Sequence, residues 1–392
     1  MKRRIATLNP ISEKGLARIH EPFELTGDAQ RADAWIVRSA GLHAVEFPPD
    51  LRAIARAGAG VNNIPLERAS EAGIVVFNTP GANANGVREL VLCSMILASR
   101  DIIGGTHWVR KNEDNPDIAT LAEKAKGQFA GTEIRYKTLG VIGLGAVGHL
   151  VANAAIGVGM KVEGFDPAIP LEYALQLSTQ VHTNESLEEL LPKCDYISIH
   201  VPLTDKTEGM IGEKEIGMMK DGAILMNFAR DLICDEEAVG KALHHKKLRG
   251  YVVDFPNELN VTFPGTIVTP HIGATTVESE EQCAIMAVEA LQNYLAYGNI
   301  THSVNFPDVN LGIPRVPSRI VLLHRNVPGT LNRMTALFGK HKYNIEQMVS
   351  ASRGAYSVAL FDVVGSVSRD FIMHLQEHDE ILKLRLIHTE EA

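Results

Sequence analysis

The chain has 392 residues, 45% hydrophobic and 22% charged, too many for one ordinary core and suited to two or three globular domains. Its formal net charge of −9 argues against a general nucleic-acid or anionic-membrane surface, and no apolar run is long enough to span a bilayer. Cys93, Cys194, Cys234 and Cys283 lie far apart with no C-x-x-C pair, which favours reduced thiols over zinc or disulfides, so no metal is expected. The N-terminus is basic without an apolar segment, so no secretion signal is expected and the expected location is cytoplasmic.

In chain order, the first hundred residues alternate short apolar segments ("AWIVRS", "LRAIARAG", "GIVVFNTP") with helix-like stretches bounded by Gly, Pro or Asn. "NGVRELVLCSMILASRDIIGGTHWVRK" has helical spacing over one long run, and "KNEDNPDIATLAEKAKGQF" reads as a polar loop. From Leu139 a rhythm sets in: strand "LGVIG", helix "AVGHLVANAAIGV", strand "KVEGFD", then strands "YISIHVP", "AILMNFA" and "RGYVVDF" separated by helix-like segments. Such alternation predicts a parallel sheet covered on both faces. "ESEEQCAIMAVEALQNYLAYG" is a long amphipathic helix, and "NFPDVNLGIPRVPSR" with its three prolines reads as a linker. The remainder orders itself β-α-β-β-α-β, the ferredoxin-like arrangement.

Gly143-Leu144-Gly145-Ala146-Val147-Gly148 follows a strand, opens a helix and precedes a second strand ending at Asp166. In that context G-x-G-x-x-G is a dinucleotide fingerprint. Gly143 permits the tight turn, Gly145 lets backbone approach a pyrophosphate, and Gly148 allows close helix–strand packing. Unpaired N–H groups at the helix start face the phosphate charge. Asp166 suits ribose hydroxyls and repels a 2′-phosphate, and no Arg follows it directly ("FDPAIP"), so NAD is expected over NADP.

Transfer of hydride from an alcohol also needs a base, a group that tunes it and a cation for a carboxylate. Arg230 ends the strand "AILMNFAR", Glu258 follows "VVDFPN", and His271 lies in "VTPHIGATT". Each has a bland alternative: a surface ion pair, a solvated loop carboxylate, a structural histidine. Three such residues past three strand ends of one sheet point together to catalysis. A carboxylate against the imidazole would favour imidazolium and fix its tautomer.

"VIGLGAVGHLVANAA", "YISIHVPLTDKTEGMIG", "MKDGAILMNFAR" and "TIVTPHIGATTVES" resemble the D-isomer-specific 2-hydroxyacid dehydrogenases over roughly the first three hundred residues. The resemblance implies His271 as acid/base, Glu258 as its partner and Arg230 as the substrate clamp. It adds Ala146, Val147, His200, Val201, Pro202, Thr207, Phe228, Ala229, Asp254, Gly273 and Ala274 to Gly143, Gly145, Gly148 and Asp166 as cofactor contacts. The implied architecture is α/β. A flavodoxin-like substrate domain (1–97) is completed by a returning segment (272–303), around a Rossmann-type doubly wound NAD domain (98–271). A linker (304–317) leads to a ferredoxin-like βαββαβ domain (318–392) resembling the ACT regulatory module. Two departures stand out. Asp231 and Leu232 occupy positions where the family usually has glycines, and "DFPNE" is one residue shorter between aspartate and glutamate than is usual.

"IVRSA" resembles the phosphoglycerate dehydrogenase branch, implying Arg38 and Ser39 as substrate contacts. "RAGAGVNNIP" implies Gly58, Ala59 and Gly60 as backbone donors, and "GANANGVREL" implies Asn83. Arg38 could equally pair with a surface carboxylate. "VLLHRNVPGTLNRM" together with Asn344 implies an amino-acid effector, L-serine, bound by His324, Asn326 and Asn344. The implied reaction is NAD-dependent oxidation of 3-phosphoglycerate by a homo-oligomer, a dimer or tetramer. Hydroxypyruvate or glyoxylate reduction, a silent NAD sensor and an amino-acid sensor are the alternatives.

Overall fold

The structure, a computed structural model, describes residues 2–388. The chain divides into two compact units, Met1–Asn83 with Glu280–Ala392, and Ala84–Ser279.

The second unit is built on seven parallel strands. They are named here in chain order after the five of the first unit: β6 (Thr138–Ile142), β7 (Lys161–Phe165), β8 (Val181–Thr183), β9 (Tyr196–Ile199), β10 (Ala223–Asn227), β11 (Leu248–Val253) and β12 (Thr266–Val268). Their order is β12-β11-β10-β9-β6-β7-β8, with the chain reversing direction of growth between β6 and β9. The doubly wound reading therefore holds. β9 and β10 are buried along their whole length, as expected of central parallel strands with both faces covered. The sheet separates two apolar layers. Val141, Val151, Tyr196 and Met226 lie in one, and Ile142, Ile199, Leu225 and Val253 in the other.

Two local expectations for this unit fail. The long helical run is broken into Ala84–Ser99 and Ile102–Lys111, because Asp101 caps the second helix through its carboxylate and the Gly104 N–H (2.9 Å). The polar stretch read as a loop contains the helix Ile118–Ala125. Its leucine and alanines are spaced for one face, a weak signal in a short charged segment.

In the first unit, β1 (Arg3–Thr7), β2 (Phe23–Thr26), β3 (Ala34–Val37), β4 (Ala53–Arg56) and β5 (Val75–Phe77) form a parallel sheet ordered β2-β1-β3-β4-β5, the flavodoxin-like order. The unit boundary at 279/280 falls within the first turn of the helix Val277–Tyr297. The unit also contains β13 (Ser318–Arg325), β14 (Ile345–Arg353), β15 (Tyr356–Val363) and β16 (Ile381–His388). These pair antiparallel in the order β14-β15-β13-β16, with two helices on one face.

The other face of that sheet is not free. Along β13, Ile320 and Leu322 point to the helices Thr330–Lys340 and Arg369–Gln376, while Val321 and Leu323 join the core of the first sheet beside Ile36, Phe77 and Leu291. A strand apolar at successive positions is buried on both faces. The residues read as a linker are packed rather than solvated. Phe306 is buried, Asn305 Oδ1 accepts from the Val76 N–H (2.8 Å), and the Val304 N–H donates to the Val76 carbonyl (2.9 Å). This segment covers the edge of β5, where a polar Asn-rich sequence satisfies backbone groups that water would otherwise serve.

Two buried arginines of this sheet end the long helix. The Arg319 guanidinium meets Asp362 through two bonds (2.6 and 2.8 Å) and donates to the Tyr297 carbonyl (2.9 Å). Arg385 donates to the carbonyls of Tyr294 (3.1 Å) and Leu295 (2.9 Å). The Tyr294 carbonyl also accepts from the Gly298 N–H (2.8 Å), whereas the Leu295 and Tyr297 carbonyls take their donors from the two arginines, at the negative end of the helix dipole.

Arg319→Ala is expected to lower stability by about 3–5 kcal/mol, since it strands Asp362 in the interior. Thermal and urea unfolding of the full chain check this, and a loss below ~1 kcal/mol would contradict the pairing described. Lys383 supplies a pH test. Burial first, then Arg52 and Arg385, push its amine from 10.5 down to about 8. Between those values the unfolded chain binds more protons than the folded one, so stability should rise with pH. Lys383→Met should flatten that rise between about pH 8 and 10 in a melting-temperature series, and an unchanged slope would refute the shift.

Candidate functional site

All the candidate groups of the second unit follow C-terminal ends of parallel strands, so they lie along one edge of the sheet. At the end of β6, Gly143 has φ +88°, and a Cβ there would fall 2.9 Å from the His200 carbonyl carbon. A Cβ on Gly148 would lie 1.8 Å from the Gly143 carbonyl oxygen, so helix and strand approach too closely for any side chain. A Cβ on Gly145 meets nothing within 4 Å. Protein packing thus demands two of the three glycines, and Gly145 is left as a cradle open to a ligand.

Ala146 and Val147 lead into the helix Gly148–Gly157, with Val147 at its N-terminal cap. Asp166 ends β7. Its carboxylate accepts from the Leu144 N–H (2.8 Å) and the Ala168 N–H (2.9 Å), which ties the glycine loop to the next strand. An open cradle, a helix start and a carboxylate at the adjacent strand end fit the pyrophosphate and ribose of a dinucleotide.

His200 follows β9 and shares a hydrogen bond with the Ser198 hydroxyl (2.8 Å). Its enclosed ring is pushed down to about 3 by desolvation, so it is neutral near pH 7. Val201 packs on the core. The Thr207 hydroxyl donates to the Pro202 carbonyl (2.6 Å) and accepts from the Thr204 N–H (2.8 Å), closing the turn after it. Phe228 and Ala229 are buried at the end of β10.

Arg230 is exposed, and among the described residues its guanidinium has no carboxylate partner; Nη1 bonds the Ala229 carbonyl (2.6 Å). Its backbone is held from behind by Asn227, fully buried, whose amide donates to the Arg230 carbonyl (2.7 Å) and accepts from the Ala229 N–H (3.1 Å). Asp231 and Leu232 enter a short 3-10 turn, Asp231–Ile233, without needing glycine. Arg230 itself keeps extended geometry (φ −154°), and the Gly209 N–H donates to the Leu232 carbonyl (2.9 Å).

His271 has left-handed backbone (φ +56°), uncommon for a residue other than glycine. The buried carboxylate of Asp254 holds this turn by accepting from the Thr269 hydroxyl (2.6 Å), the Ile272 N–H (2.9 Å) and the Gly273 N–H (2.7 Å). Gly273 is buried at this turn and Ala274 half-buried beside it. A Cβ on Gly273 would come within 2.9 Å of Asp254 Oδ2. In this structure Asp254 therefore serves the His271 loop.

The imidazole is exposed and rests against Phe255, ring centres 4.8 Å apart. Glu258 does not take the place expected for it. It is exposed, and among the described residues no hydrogen bond or ion pair joins it to His271. The short loop is the reason. Asn257 Oδ1 accepts from the N–H groups of Leu259 (3.0 Å) and Asn260 (2.8 Å), turning the chain at Glu258, and Phe255 occupies the side of the ring.

In the first unit, Arg38 follows β3 and pairs with Glu280 (2.6 Å), the surface alternative that the sequence left open. Ser39 is exposed, Asn83 half-buried. The Gly58 carbonyl accepts from the Thr79 N–H (3.2 Å), the Ala59 carbonyl accepts from the Asn78 amide (2.7 Å), and Gly60 is half-buried beside them. A Cβ on Gly58 would fall 2.3 Å from Arg56 Nη1, so a second guanidinium lies against the glycine loop. Sequence reasoning missed Arg56, although it ends β4 within the same "RAGAG" motif.

Of the expected effector residues, His324 is buried at the end of β13. Its Nδ1 lies 2.9 Å from the Arg325 carbonyl, its Nε2 has no partner among the described residues, and burial lowers its pKa. Asn326 is exposed and donates to the Gly354 carbonyl (3.0 Å), and exposed Asn344 accepts from the Val364 N–H (3.1 Å) through its carbonyl.

The glycine geometry makes a test. Gly148→Ala should destabilise the fold by several kcal/mol, because backbone must move. Gly145→Ala should leave the melting temperature within ~2 °C yet weaken NADH binding by about tenfold or more. Titration by NADH fluorescence with parallel melting curves measures both, and unchanged NADH affinity in Gly145→Ala would remove the cradle from the site.

Residues 92–273 match the family model described as D-isomer specific 2-hydroxyacid dehydrogenase, NAD binding domain. A putative D-3-phosphoglycerate dehydrogenase of Schizosaccharomyces pombe is 36% identical over 327 residues, covering 76% of this chain, which spans only 66% of that protein. A hydroxypyruvate reductase of Thermotoga maritima is 35% identical over 288 residues, 69% of this chain and 87% of the relative. The solved NAD+-bound 3-phosphoglycerate dehydrogenase of Entamoeba histolytica superposes with a TM-score of 0.60 at 30% identity, covering 78% of this chain and 99% of its own. With the strand order, the glycine cradle and these relatives together, the chain belongs to the D-isomer-specific 2-hydroxyacid dehydrogenases and carries their NAD-binding domain.

Proposed function

We propose that this protein oxidises D-3-phosphoglycerate to 3-phosphohydroxypyruvate with NAD, and runs the reverse reduction with NADH. The observation that carries the reading is the placement of Arg230 and His271 past β10 and β12 on the same sheet edge as the Gly145 cradle. Arg230, free of any carboxylate among the described residues, clamps the substrate carboxylate and the C2 oxygen. His271 accepts the C2 hydroxyl proton at its exposed imidazole and returns it on reduction. Bound at the glycine loop, the nicotinamide dinucleotide supplies the hydride acceptor. Asp166 favours NAD over NADP by repelling a 2′-phosphate.

Arg38, with Ser39, Asn83 and the Gly58–Gly60 loop beside Arg56, provides cations and donors suited to a phosphorylated acid. The ferredoxin-like segment acts as an ACT-type module in a cytoplasmic homo-oligomer, binding L-serine through His324, Asn326 and Asn344. Exposed Ile102, Ile103 and Val109, on a helix without buried residues, suit self-association. One observation favours a second reading: Arg38 is engaged by Glu280, as fits an enzyme for unphosphorylated hydroxypyruvate or glyoxylate.

NADH oxidation with 3-phosphohydroxypyruvate and with hydroxypyruvate, each with and without serine, separates the readings. Preference for the phosphorylated acid, with Arg38→Ala raising its KM about 10–100-fold and leaving that for hydroxypyruvate unchanged, supports phosphoglycerate. Equal or better use of hydroxypyruvate overturns it in favour of the reductase. Absence of serine inhibition removes the effector assignment alone.

A further inference from the structure

Behind both candidate groups lies a buried polar cluster that this mechanism does not use. Tyr251, fully buried on β11, donates its hydroxyl to Glu236 Oε1 (3.0 Å), and the Asn260 amide lies 3.5 Å from the same oxygen. Glu236 Oε2 is buried without a hydrogen-bond partner among the described residues. Burial raises the Glu236 pKa, with Asp231 adding to it, and holds Tyr251 well above its ordinary value beside Cys234.

Two arms leave the cluster. Asn260, itself fully buried, donates to the Phe255 carbonyl (3.0 Å) and accepts from the Asn257 N–H (3.0 Å). It thereby fixes the segment whose Phe255 ring seats the His271 imidazole. On the other side, the Tyr251 hydroxyl also meets the Asn227 side chain, and Asn227 holds the Arg230 carbonyl. A carboxyl in this place is costly to bury, and an apolar side chain would fill the space at less cost. What it supplies is one acceptor that sets two amide-bearing side chains and a tyrosine in a single arrangement.

We propose that Glu236 is a positioning residue, which sets the His271 ring through Asn260 and Phe255 and the Arg230 turn through Tyr251 and Asn227. The assignment rests on the reading of His271 and Arg230 given above. Because the role is that of an acceptor, glutamine can perform it and alanine cannot.

The test compares the full-length protein with Glu236→Ala, Glu236→Gln and Tyr251→Phe. The readouts are kcat and KM for 2-keto acid reduction, NADH affinity, and the His271 ring signal in NMR, assigned with His271→Asn. Glu236→Ala should lower kcat by about tenfold or more with NADH affinity held within about twofold, and should move the His271 signal; Glu236→Gln should restore both to near wild type. Retention of kcat within about twofold in Glu236→Ala with an unmoved His271 signal overturns the proposal. So does a Glu236→Gln variant no better than alanine. If Glu236→Ala does not fold, Tyr251→Phe decides: a moved His271 signal with kcat down about threefold or more supports the role, and no change in either overturns it. Should the wild-type protein reduce no 2-keto acid, the functional reading fails by itself, and the His271 signal alone decides the positioning role.

Discussion

The candidate site depends on one buried carboxylate. Asp254 takes three hydrogen bonds from a single loop, Thr269 to Gly273, and that is what keeps His271 in a left-handed backbone conformation. Unsupported, such geometry costs about 1–3 kcal/mol and would relax. With it, the imidazole stands at a strand end on the same sheet edge as Arg230 and the glycine cradle. A charge-assisted triad of bonds is strong enough to hold the strain, and burial keeps water from competing.

The same logic recurs in the first unit. Arg319 and Arg385 are buried cations: Asp362 pairs with the first, and both donate to carbonyls of the last turn of a helix, at the negative end of its dipole. Their sheet is thereby joined to the helix Val277–Tyr297, and its second face to the core of β1–β5. A ferredoxin-like sheet with one face free could be a separate body on a tether. Here Val321, Leu323, Val358 and Leu360 belong to the same apolar core as Ile5 and Ile36, so the two sheets share one interior.

Electrostatically, the candidate groups differ from the buried ones. Arg230, Glu258 and His271 are exposed, whereas Tyr251 and Asp254 are buried, His200 and Glu236 half-buried, and all four hydrogen-bonded. On the proposed reading, the groups that meet a ligand stay hydrated until it arrives, and the groups beneath them are fixed beforehand. That division places the reorganisation cost in folding rather than in binding.

Much of this was legible in the residues alone. G-x-G-x-x-G between a strand and a helix defines its own geometry, because Gly143 turns the chain with positive φ and Gly148 must pass the Gly143 carbonyl, both within six residues, while Gly145 is left open. The alternation of strands and helices, and the βαββαβ order of the tail, follow from periodicities a few residues long. The division into units, the packed segment read as a linker and the break at Asp101 were less visible, since each rests on one or two side chains finding distant or local backbone partners. Tertiary structure alone decided that Phe255 rather than Glu258 faces His271, that Arg38 meets Glu280, and that Arg56 lies against Gly58. Spacing along a chain encodes which face of an element a residue occupies. It does not encode which of several polar side chains, brought together from remote segments, reaches a given partner, because loop length and packing settle that at the scale of an ångström.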